Sequence, residues 1–149
     1  MKTERCWLCQ SPASLVTEPR EVTMGTRKVT IEDTFYRCNS CGEMFYSMGG
    51  MADESFRRGA AALRKLDGLL EPDEIRAIRT AYGLSQAGLE KLIGAGEKTV
   101  VRWEKGTVAQ NATADTLLRV LRDHSAVVAK LAEERGVPVT VPREVQPAA

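Results

Sequence analysis

Cys6-x-x-Cys9 and Cys38-x-x-Cys41 constrain this chain more than any other feature. Each CxxC pair makes a tight knuckle whose two sulfurs point the same way. Two knuckles at the outer ends of a β-hairpin converge on one tetrahedral metal. Thiolates suit zinc, a borderline-soft ion with no geometric demand beyond four ligands, so one zinc on Cys6, Cys9, Cys38 and Cys41 is expected. Other thiol chemistries fit poorly. The start MKTERCWLC is no signal peptide, so a cytoplasmic and reducing location is expected, which argues against disulfides. A redox CxxC needs a helix N-terminus beside a βαβ unit, and neither pair has that setting. Four protein ligands leave no position for water, so the zinc is expected to be structural and the chain not an enzyme.

The segments 13–24 and 27–37 carry β-branched and polar residues in partial alternation, with Gly25-Thr26 as the turn, and a short strand follows within 43–48. From Asp53 to Leu66 the period becomes helical, with Phe56, Ala60, Leu63 and Leu66 on one side. Residues 1–68 form this unit, and zinc is expected to replace the core that a unit of about 50 residues does not supply by itself. Trp7 and Phe35 beside the knuckles are read as packing that shields the metal.

Beyond residue 68 the chain reads as short helices. Glu71-Pro72 starts one with Ile75, Ile78 and Tyr82 inward, and Ser85 caps another over 86–92 with Leu89 and Leu92 inward. A third spans 97–105 between glycines, Thr113 caps a fourth, and the last covers Ser125–Glu134. The fold class is therefore α+β: a small β-hairpin zinc-binding domain (1–68), then an all-α five-helix domain (69–135), with a loose tail at 136–149. His124, at a helix end, is read as structural. No apolar run approaches the roughly 18 residues that cross a membrane, so no membrane partner is expected.

Residues 84–106, LSQAGLEKLIGAGEKTVVRWEKG, form helix, glycine-containing turn and helix, the helix-turn-helix pattern. Net charge is only +1, so contact with nucleic acid must come from local arrangement. On a helix over 97–105, Lys98, Arg102 and Lys105 are spaced four and three apart and share one face, while Val100 and Trp103 turn inward. An outward Val101 suits a thymine methyl. Lys98, Thr99, Val101, Arg102 and Lys105 are the residues expected at DNA, with Ser85 and Gln86 holding its backbone from the start of the preceding helix.

Leu84-Ser85-Gln86 and Arg102-Trp103-Glu104-Lys105-Gly106 resemble the Xre/Cro-type, lambda-repressor-like helix-turn-helix. With the four-cysteine domain ahead and LLRVL (117–121) behind, residues 1–131 resemble the MqsA antitoxins, also called YgiT-type zinc-finger proteins. That resemblance implies a repressor that binds a palindromic operator in its own promoter and dimerises through the helical domain. It also implies a zinc domain that neutralises an mRNA-cleaving toxin. By position, Cys6, Cys9, Cys38 and Cys41 match the zinc ligands and Arg102 a base-reading arginine. The family's base-reading asparagine falls on Lys98, a departure that implies a different operator, since Asn reads adenine and Lys favours guanine or phosphate. The alternative reading is a free-standing zinc-containing regulator without a toxin.

Overall fold

The computed structural model describes residues 3–142, and the chain divides between Asp67 and Gly68 into two compact units. The first holds a four-stranded antiparallel sheet, in the order β1 (Glu4–Arg5), β2 (Pro12–Met24), β3 (Arg27–Cys38) and β4 (Met44–Phe45). Helix α1 (Met51–Asp67) follows. The register of β2 on β3 runs from Met24↔Arg27 at the turn to Ala13↔Cys38 at the open end. Each step of two residues along β3 keeps one face, and Val29, Ile31, Asp33 and Phe35 are all buried on it.

That buried face is only partly apolar. The guanidinium groups of Arg20 and Arg37 both lie over the Phe35 ring, 5.4 and 5.3 Å from its centroid. Asp33 is fully buried. It accepts the Tyr46 hydroxyl at 2.6 Å and the Thr34 N–H at 3.0 Å, and pairs with Arg20 Nε at 3.2 Å. The Tyr46 oxygen also lies 3.1 Å from Ser55 Oγ, which ties α1 to the sheet. Burial, then the Asp33 carboxylate, raise the Tyr46 pKa above its ordinary value.

Helix α1 turns inward a stripe that only partly matches the one its apolar pattern predicts. Ala60 is buried as expected and Leu63 half-buried, but Ser55 and Gly59 are buried in place of Phe56, which is 54% exposed, and Leu66, which is exposed as well. Close approach explains the change. A Cβ at Gly59 would stand 2.6 Å from Met24 Sδ, so the helix sits too near the hairpin for a large ring beneath it. Phe35 packs as expected. Trp7 does not shield the knuckles: it is 63% exposed.

The second unit holds α2 (Pro72–Ala81), α3 (Gln86–Ile93), α4 (Thr99–Lys105), α5 (Ala112–Asp123) and α6 (Ser125–Arg135) around one core. Glu71 and Glu74 form a capping box on α2, and the Ser85 hydroxyl accepts Gly88 N–H at the start of α3. The cap of α5 is Asn111, accepting Ala114 N–H, and not Thr113. Leu121 and Val128 are consumed by the core, which leaves Val120, 37% exposed, as apolar surface on α5. The segment expected to be loose from 136 is held as far as Thr140. Val137 is buried and the Thr140 N–H donates to the Tyr82 carbonyl at 2.9 Å. Residues 143–149 of the expected tail lie outside the described residues.

Asp115 fastens the beginning of this unit to α5. Its carboxylate accepts the Leu70 N–H at 2.8 Å, Gln110 Nε2 at 3.0 Å and Arg119 Nε at 2.8 Å. Arg119 also donates to the Gly68 carbonyl at 2.8 Å. Burial acting alone would raise the Asp115 pKa, but the Leu70 amide, Arg119 and Gln110 outweigh it and hold the carboxyl below its usual range. Asp115→Ala leaves buried donors without their acceptor and should cost about 3 kcal/mol in denaturant unfolding. Because the folded value is depressed, the stabilisation is present above the unfolded value of about 3.9 and is lost as pH falls through the folded one. The wild type should therefore weaken below about pH 4, and the variant should show less of that decline.

Candidate metal centre and nucleic-acid interface

Two local turns build the metal centre. In the first, Cys6 N–H donates to Ser11 O and Gln10 N–H to Cys6 O, both at 2.9 Å. In the second, Cys38 N–H donates to Glu43 O at 2.9 Å and Gly42 N–H to Cys38 O at 3.1 Å. The fourth residue after the leading cysteine is left-handed in each, Gln10 at φ 62° and Gly42 at φ 76°. Glycine takes that conformation freely, and glutamine takes it at some cost. The Ala13↔Cys38 pairing then sets one knuckle against the other.

All four Sγ atoms lie within 4.8 Å of one another, with separations of 3.7 Å (Cys6–Cys41), 3.4 Å (Cys9–Cys38) and 3.6 Å (Cys9–Cys41). A tetrahedron with Zn–S bonds of about 2.3 Å has edges of about 3.8 Å, so the sulfur cage fits zinc. Cys6 and Cys38 are buried and Cys9 and Cys41 exposed. The amides of Ser40 and Cys41 both donate to Cys38 Sγ at 3.4 Å, which favours its thiolate. As free thiols, Cys9 and Cys41 are driven in opposite directions. Hydrogen bonds from Ser11 push Cys9 down to about 6. The Glu43 amide favours the Cys41 thiolate, but loss of hydration where the sulfurs crowd together, and the neighbouring Cys38, Cys9 and Cys6 sulfurs, outweigh it and push Cys41 up to about 12. A divalent cation removes that conflict, and with four cysteine ligands the site is a closed one for a single structural zinc.

In the second unit, Leu89, Leu92, Val100 and Trp103 are buried between α3 and α4. Gly94, left-handed at φ 73°, ends α3. Helix α4 begins at Thr99, two residues later than its apolar pattern predicts. Lys98 is therefore not on the helical face with Arg102 and Lys105. It precedes the helix in a left-handed conformation (φ 65°, ψ 6°), one that costs a non-glycine residue about 1–2 kcal/mol. Lys98, Arg102 and Lys105 are exposed, and Thr99 and Val101 are half-buried.

Gln86 lies at the start of α3, and its amide donates to Glu104 Oε2 at 3.4 Å. Glu104 is an acid that sequence reasoning leaves unassigned. Its side chain is buried on α4, where Arg79 of α2 donates to it from Nη2 at 2.8 Å and from Nε at 3.0 Å. Arg76 Nε adds a contact at 3.2 Å. Burial by itself would raise the Glu104 pKa, but these guanidinium groups hold it below its usual range. The cluster makes α2, the start of α3 and α4 one body. A glutamate beside the inward-facing Trp103 is the available signal, since an acid there needs a buried cation.

These features define a class: a four-cysteine zinc domain joined to a helix-turn-helix unit. The model of the antitoxin component of bacterial toxin–antitoxin systems, MqsA, matches residues 1–132, and the chain belongs to that family. The chain is also similar to the antitoxin HigA-2 of Vibrio cholerae serotype O1, at 31% identity over 64 residues. That alignment covers 43% of this chain and 62% of the relative, so the chain spans less than two thirds of that protein's length.

Freshly purified protein should contain one zinc per chain by metal analysis. Cys38→Ser should lose the zinc and the protection of the sheet amides against exchange, because metal binding is folding energy for a unit of this size.

Proposed function

We propose that this chain is the antitoxin and autorepressor of a toxin–antitoxin pair, acting in the cytoplasm and without catalytic activity of its own. In this reading the zinc unit binds and neutralises an mRNA-cleaving protein toxin. The helical unit binds a palindromic operator as a homodimer. The observation that carries the reading is the family match, which extends through both units in one alignment. Consistent with it, among the described residues no helix is long and apolar enough to cross a membrane.

Arg102 is the base reader in this proposal. Its side chain is exposed on α4, and its planar fork matches the two acceptors on the major-groove edge of guanine. Lys98 and Thr99, at the entry to α4, meet base edges or the neighbouring phosphate. Val101 meets a thymine methyl. Lys105, at the far end, meets phosphate, as do Ser85 and Gln86 at the start of α3. Glu104 contributes by holding Arg79 and Gln86 against α4. A single short helix makes too few contacts for a specific site, so two chains read two half-sites about one turn of DNA apart. Val120, with half-buried Leu117, Val127 and Leu131, offers the apolar surface for pairing.

The test is a titration against a duplex from the promoter of this chain's own gene and against scrambled DNA, followed by light scattering. Two chains per operator are expected. Arg102→Ala should cost about 1–3 kcal/mol per half-site and narrow the ratio of the two affinities. Lys105→Ala should weaken both duplexes alike and lower the salt slope by about 1 for each phosphate no longer neutralised. An unchanged ratio for Arg102→Ala contradicts base reading by α4.

A further inference from the structure

One buried acid in the helix-turn-helix belongs neither to the zinc centre nor to the cluster around Glu104. Glu90 lies on α3 and is 6% exposed. Its Oε1 accepts the backbone N–H of Lys98 at 3.0 Å, and its Oε2 is buried with no hydrogen-bond partner among the described residues. A buried carboxylate satisfied on one side only carries a desolvation cost that an apolar residue at the same place would avoid. The carboxylate offsets that cost through what it holds.

What it holds is Lys98. This residue stands in the left-handed region that lysine rarely adopts, and α4 has no side-chain cap to stabilise its start. The turn is nonetheless well tied. Lys98 O accepts Arg102 N–H at 3.3 Å and Gly96 O accepts Thr99 N–H at 3.2 Å. The main-chain carbonyl of Glu90 accepts the N–H of Gly94 and, at 2.9 Å, that of Ala95. Glu90 thus holds the turn at both ends, with its backbone at 94–95 and its carboxylate at 98.

We propose that Glu90 is a positioning residue for sequence reading: its carboxylate fixes Lys98 in the left-handed conformation, which sets the direction of the Lys98 side chain and the point where α4 begins. The inference rests on the reading of α4 as the DNA-contacting helix. Positions 90 and 98 then form a matched pair. A lysine at 98 requires the acid at 90, whereas glycine or asparagine, which enter this conformation readily, would not.

The experiment compares wild type, Glu90→Ala, Lys98→Gly and the double variant, as full chains. Exchange of the Lys98 amide is measured without DNA, and affinity is measured for the promoter duplex. Glu90→Ala should speed exchange at Lys98 and weaken operator binding, each by about tenfold or more, the latter per half-site. In the Lys98→Gly background, Glu90→Ala should change affinity by less than about twofold. Glu90→Gln, which keeps an acceptor oxygen, should restore most of the loss. Equal losses in both backgrounds, or unchanged exchange at Lys98, would overturn the proposal. If Glu90→Ala does not fold, Glu90→Met fills a similar volume and takes its place. The amide measurement judges the Glu90–Lys98 link separately, because failure of the DNA reading itself would appear as an operator preference indifferent to Arg102.

Discussion

The sheet unit depends on four sulfur atoms held within 4.8 Å of one another. The hairpin of β2 and β3 pairs from Met24↔Arg27 to Ala13↔Cys38, and its open end would fray without a closure. Zinc provides that closure, joining the turn before β2 to the turn after β3. The apolar core around it is thin. Phe35 meets two guanidinium groups, and the floor beneath α1 is the Asp33–Tyr46–Ser55 network. Such a network is selective in geometry and modest in net free energy, which leaves the metal as the main source of order.

The helical unit is organised differently, with an ordinary apolar core and three buried acids that each fix a joint. Asp115 fastens residues 68–70 to α5, Glu104 draws Arg79 and Gln86 onto α4, and Glu90 holds the turn that leads into α4. Two of the three bear on the proposed reading face. Removing either should change how Lys98 and Arg102 are presented while leaving Leu89, Val100 and Trp103 packed.

The cysteine spacing, the hairpin turn at Gly25-Thr26 and the glycine-bounded helices are legible in the sequence because each follows from local chemistry. Phe56 and Leu66 mislead, because helical periodicity cannot foresee how near α1 comes to Met24. The apolar pattern starts α4 two residues early, since nothing local marks Lys98 as left-handed. The carboxylate that holds it there is eight residues away. Val137 and Thr140 read as loose tail because a proline-rich composition hides a single buried valine and one backbone hydrogen bond to Tyr82. Glu90 and Glu104 are invisible as site residues for a related reason: their partners are set by tertiary contact and not by pattern.

The central claim is a division of labour, with zinc ordering the unit that meets a protein and a separate helical unit meeting DNA. Chelation tests it most directly. Hydrogen exchange and affinity for the promoter duplex are followed together as zinc is removed from the intact chain. The amides of β2 and β3 should lose protection while those of α2–α6 keep it, and operator affinity should stay within about twofold. A fall in affinity that tracks the loss of zinc would contradict it.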